Sequence, residues 1–92
     1  MNYRVSFLSA AKKQFEKLPQ DIQLRIYKKI KALSQNPRPH GVEQLTDFEI
    51  HGDIFKKLFR IRIGDYRLIY SIEDEIITIS IIRIKHRKEV YK

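Results

Sequence analysis

Apolar and polar residues alternate from the start of the chain. In YRVSFL, residues 3–8, Tyr3, Val5 and Phe7 fall on one face, the period of a half-buried strand. Ser9 follows as a helix cap, and the period then lengthens. Ala10, Ala11, Phe15 and Leu18 form the apolar stripe of a short helix that Pro19 breaks. A second helix is predicted from about Gln20 to Gln35, with Ile22, Ile26, Ile30 and Leu33 at helical spacing. Gln23, Arg25, Lys28, Lys29 and Lys31 lie opposite them, so the helix has a basic outer face. NPRPHG, residues 36–41, ends it.

Residues 42–57 follow neither period: Leu45, Phe48, Ile50, Ile54 and Phe55 are spaced for neither a strand nor a helix. They read as a loop with local order. From Leu58 onward three strands are predicted, at about 58–63, 66–72 and 76–84, the last two joined by an acidic turn at Glu73, Asp74 and Glu75. The order β-α-α-β-β-β predicts a single α+β domain over residues 1–92, an antiparallel sheet with a helical hairpin packed on one face.

The first pair of these strands, FRIRIGDYRLIY (residues 59–70), is two apolar runs joined by Gly64 and Asp65. Glycine in the first loop position supplies the positive φ of a type II′ turn. Ile63 then opposes Tyr66, and Arg62 opposes Arg67. Like charges roughly 5 Å apart at Cβ are destabilising, which points to an anion as the missing partner. Parity puts Phe59, Ile61, Ile63, Tyr66, Leu68 and Tyr70 under the helices, with Arg60, Arg62 and Arg67 on the other face. Ile77, Ile79 and Ile81 should extend the covered face, and Thr78, Ser80 and Ile82 the basic one, a concave polar surface.

Composition narrows the partners. The 92 residues carry a formal charge of +8 and no cysteine. Stability must therefore come from packing rather than from disulfides or thiolate metal sites, and the charge favours a polyanion, nucleic acid first. No apolar run approaches the roughly 20 residues of a membrane span, and the start of the chain lacks the apolar core of a signal peptide. A cytoplasmic protein is expected, with no membrane partner.

The segments NPRPHGVEQL, FRIRIGDYRLIY and IIRIKHRKEVYK, in that order after a helical hairpin, make the chain resemble the RelE/ParE toxin superfamily, and RelE-type toxins in particular. The resemblance covers nearly the whole chain. It implies a toxin of a type II toxin-antitoxin system: a metal-independent endoribonuclease, without cofactor, that enters the ribosomal A site, cuts the mRNA there and is restrained by a small cognate antitoxin in a hetero-oligomeric complex. ParE-type relatives share the fold and inhibit DNA gyrase without nuclease activity, so the fold alone does not name the target; a degenerate, non-toxic relative is the third reading.

By the same resemblance, the residues around the scissile phosphate are Arg60 and Arg62, then Arg67, then Lys85 and Tyr91. Guanidinium groups suit the electrostatic part of the reaction, because a planar fork grips two phosphate oxygens. The best-known relatives have lysines on the second sheet strand where this chain has arginines, and a guanidinium does not readily deprotonate a hydroxyl. Three candidates for the base stand side by side: Tyr91, Lys85 among its cationic neighbours, and His86, an imidazole suited to proton transfer. Lys56 and Lys57 either line the same groove or stand in for the missing lysines, and Arg87 and Lys88 read as phosphate contacts or as simple solvation of the surface. No metal-ligand cluster is recognisable.

Overall fold

The computed structural model describes residues 2–50 and 53–90, with side chains for 2–45 and 58–88. Its elements are β1 (Arg4–Phe7), α1 (Ser9–Glu16), α2 (Gln20–Gln35), β2 (Glu43–Ile50), β3 (Asp53–Ile63), β4 (Tyr66–Glu73), a short 3-10 turn (Asp74–Ile76), β5 (Thr78–His86) and α3 (Arg87–Val90). The strands form one sheet in the order β1-β5-β4-β3-β2. β3, β4 and β5 make the expected antiparallel meander, but β1 joins the edge of β5 in parallel. The sheet is therefore mixed.

The helices follow the apolar stripes. Ala11, Ile26, Ile30 and Leu33 are buried against Phe59, Ile61, Leu68, Tyr70, Ile79, Ile81 and Ile84, and Ile63 and Tyr66 pack at the margin of this core. The cap differs from the expected one. Leu8, not Ser9, holds the N-terminal position of α1, because its N–H is still bonded to Ile81 of the sheet while its carbonyl already accepts from Lys12. Gln23 closes the far end of α1 by donating from its amide to the carbonyl of Leu18 at 2.9 Å.

Residues 42–57 are not a loop. Glu43–Ile50 forms β2, and β3 begins at Asp53, five residues before Leu58. β2 lies at the sheet edge and pairs only with β3, with Leu45 opposite Leu58. That pairing corrects the expectation of a concave polar surface on the second face. Leu58, Ile69 and Ile82 are buried there, with Leu45 packed on them. β5 also starts two residues later than its pattern suggests. The acidic turn is the 3-10 segment, and Ile77 leaves it at φ 50°, in the left-handed region, rather than joining the covered face.

β4 and β5 are held in two registers. Tyr66 faces His86, Arg67 faces Lys85, Leu68 faces Ile84 and Ile69 faces Arg83, but Tyr70 faces Ile81. Ile82 is thus an extra residue, a β-bulge, and a bulge re-aims the side chains beyond it.

At the opposite end, Tyr3 donates to Asp74 at 2.6 Å and Arg38 pairs with the same carboxylate at 2.8 Å, joining β1, the segment after α2 and the turn before β5. Tyr70 is fully buried and its hydroxyl donates to the Pro37 carbonyl at 2.8 Å. Burial pushes its phenol from 10.0 up to about 12, with Arg38 pulling weakly the other way. A pKa raised on folding means that the neutral phenol is favoured in the native state. Its contribution to stability is therefore complete below pH 10 and lost as the pH rises towards 12. In Tyr70→Phe, stability at neutral pH falls by about 1 kcal/mol, and the alkaline loss is shallower than in the wild type. Urea unfolding across that range measures both.

Candidate functional site

The hairpin forms in the expected register. Gly64 takes the positive φ of the turn, 59°, Ile63 faces Tyr66, and Arg62 faces Arg67. Because Lys85 faces Arg67 on the other side, three cations stand in one row across β3, β4 and β5. They lie on the face away from the main core. The bulge is what completes the row: if Ile82 were paired in regular register instead of bulged, strict alternation from Ile79 and Ile81 would carry Lys85 to the covered face.

The side chains around the hairpin tip extend this row. Arg62 donates from Nε to the carbonyl of Gly64 at 3.0 Å, so the turn itself holds the guanidinium in position. The first residue of α3, Arg87, donates its backbone N–H to the Asp65 carbonyl at 2.7 Å, and its guanidinium lies 3.9 Å from the Asp65 carboxylate. Arg62, Arg67 and Arg87 line a cleft of about 380 Å³ together with Gly64, Asp65 and Tyr66. Three permanent positive charges around one concavity suit an anion with several oxygens, such as a phosphodiester. They can also lower the energy of the extra charge that develops when such a phosphorus is attacked.

The remaining sequence candidates fall in different places. Arg60 shares the face with Arg62 but is ion-paired to Glu43 and half-buried beside the second apolar cluster. His86 is separated from the row: it faces Tyr66, with the two rings edge to face and their centroids 5.0 Å apart. It lines a different cleft on the helix side, with Gln14, Lys17 and Leu18. Its Nδ1 accepts the backbone N–H of Lys88 at 3.1 Å, so Lys88 is tied to His86 through its main chain while its side chain is exposed. Lys56 and Lys57 lie on β3, with side chains outside the described residues, and Tyr91 lies outside them altogether.

Three further residues at or near the cleft carry no distinct signal in the sequence. Asp65 and Tyr66 line the cleft as neighbours of the turn glycine. Arg83 faces Ile69 on the same face as the row, one pair along. Its alternation with Lys85 in IIRIKH is a signal only when Ile84 between them is read as core-facing, which the bulge brings about.

The comparisons with known proteins agree with the fold. Residues 5–91 match the profile of the family described as ParE toxin of type II toxin-antitoxin system, parDE. The toxin RelG of Mycobacterium tuberculosis is 33% identical over 93 residues, which span 100% of this chain and 99% of RelG. Among solved structures, the archaeal RelE-RelB complex from Pyrococcus horikoshii superposes with a TM-score of 0.77 at 32% identity, covering 95% of this chain and 97% of the matched one. The toxin-antitoxin complex RelBE2 from Mycobacterium tuberculosis gives 0.74 at 31% identity, covering 95% and 100%. With the family profile spanning almost every residue and both helices packed on the same sheet, the chain belongs to the RelE/ParE superfamily as a toxin of a type II toxin-antitoxin system.

Proposed function

We propose that this toxin is an endoribonuclease that cleaves mRNA in the ribosomal A site and so stops translation in the cytoplasm. The observation that carries the reading is the row Arg62, Arg67 and Lys85, joined by Arg87 at the cleft. A protein that only binds has no need to converge like charges on one point, since each such pair opposes folding. In the reaction, the 2′-oxygen of the nucleotide before the cut attacks phosphorus while the bond to the 5′-oxygen breaks. The products are a 2′,3′-cyclic phosphate and a 5′-hydroxyl. Arg62 and Arg67 hold the non-bridging oxygens and stabilise the phosphorane. One group takes the 2′-proton and another supplies the proton to the 5′-oxygen; Lys85 and Tyr91 are assigned to these transfers, with Lys85 nearest the arginines in register, while His86 opens into the helix-side cleft and is left out. Arg60, Lys56, Lys57 and Lys88 are assigned to further contacts with the RNA. A small, partly acidic antitoxin is the partner that would cover this face; the related archaeal RelE forms a complex with RelB.

A second reading is favoured by one specific finding: the matching family profile is that of ParE, and every side chain in the row itself is a cation. A ParE-like toxin would bind DNA gyrase and carry out no chemistry. One experiment separates the two. Purified toxin is added to a translation reaction with and without ribosomes, and mRNA cleavage is scored beside a gyrase supercoiling assay. The proposal expects ribosome-dependent cuts and unaffected supercoiling; inhibited supercoiling with intact mRNA overturns it.

A further inference from the structure

A second concavity adjoins the first. It lies between α2 and the β3–β4 turn, has a volume of about 430 Å³, and is lined by Arg25, Lys28, Lys29, Arg62 and Gly64. Arg62 and Gly64 belong to both clefts. The turn makes the junction physically continuous, because Gly64 has no side chain and a Cβ there would lie 3.2 Å from the Arg25 guanidinium. Arg25 is therefore laid against the same turn whose carbonyl holds Arg62. The outer face of α2 is not uniformly basic in this sense. Lys31 stands 5.7 Å over the Tyr27 ring and lines neither cleft, whereas Arg25, Lys28 and Lys29 all border the cavity that ends at Arg62.

We infer that the two clefts hold successive phosphates of one single-stranded RNA, which passes from the Arg62–Arg67–Arg87 cleft over the Gly64 turn onto Arg25, Lys28 and Lys29 of α2. This rests on the nuclease reading and adds to it a path for the strand beyond the scissile bond. Arg62 is the shared contact, reaching a phosphate on either side of the turn. Arg25, Lys28 and Lys29 are positioning residues: they fix the register of the strand without touching the reacting atoms, as phosphate contacts do in general.

The test is binding of 2′-O-methyl RNA, which cannot be cut by 2′-oxygen attack, measured by fluorescence anisotropy over a range of salt with the whole chain. Each phosphate contact to a single strand contributes about 0.7 to the slope of log affinity against log salt. The triple variant R25Q/K28Q/K29Q should lower that slope by about 2 for a longer strand and leave dinucleotide binding unchanged. The variant K12Q/K13Q/K31Q removes the same charge from outside both clefts and should keep the wild-type slope. Equal slopes in all three proteins, or an equal fall in both variants, overturn the inference. So does poly-glutamate that binds with the same sensitivity to R25Q/K28Q/K29Q, since the cavity would then be a site for acidic protein. Binding is read on an uncleavable strand, so these outcomes stand apart from failure of the cleavage assay, which would remove the nuclease reading alone.

Discussion

In Arg67→Ala, ribosome-dependent mRNA cleavage falls by about a hundred- to a thousandfold, the cost of removing one pre-placed donor from a site of developing charge. Arg67 is the middle of the row, with Arg62 on one flank and Lys85 on the other. Its guanidinium also lines the cleft that Arg62 and Arg87 share. Stability should move differently from activity. Relief of the two like-charge oppositions, each disfavouring the fold by about 0.2–1 kcal/mol, offsets the loss of the contacts that Arg67 makes, so the melting temperature should move far less than the activity. Single-turnover cleavage in a translation reaction and thermal unfolding of the same preparation measure the pair. Undiminished cleavage would remove Arg67 from the chemistry, and a large fall in melting temperature would mark it as structural.

Leu68→Ala should show the reverse. Leu68 follows Arg67 on β4, points to the other face and is fully buried. Ile61 and Ile84 face it on the two flanking strands, and both belong to the core beneath the helices. Truncation removes the transfer free energy of the lost carbons and leaves a cavity between strands that cannot close without moving the sheet. The expected loss is about 2–5 kcal/mol, a large share of the roughly 5–15 kcal/mol that stabilises a domain. Urea unfolding checks it, and a loss below about 1 kcal/mol would mean that the site collapses freely. The protein that remains folded should cleave as the wild type does, because the arginines are set by strand pairing.

Local signals are legible in the sequence where they are strong. The extent of α2, the buried stripe of Ile26, Ile30 and Leu33, and the opposition of Arg62 to Arg67 all follow from short-range period and turn chemistry. The elements that escaped depend on pairing at a distance. β2 is an edge strand whose Leu45 packs on one face of the sheet through its pairing with Leu58, and nothing in EQLTDFEI reports that partner. The parallel pairing of β1 with β5 joins residues more than seventy positions apart. The candidate site divides in the same way. Arg62 and Arg67 are visible from the hairpin alone, while the approach of Arg87 and the separation of His86 from Lys85 depend on the register between β4 and β5 beyond the bulge.

That bulge also gives β5 slack. The strand holds one residue more than β4 requires, and removing Ile82 would restore simple alternation with Arg83 and Lys85 still outward and Ile84 still inward. A shortened strand of this kind would lose an apolar contact with Leu58 and Ile69 and some local twist, but not the row. An insertion between Arg83 and Lys85 has no such allowance, since it would turn the cation beside Arg67 toward the helices. Along this strand, length can drift downward by one residue without disturbing the charged face, and cannot drift upward.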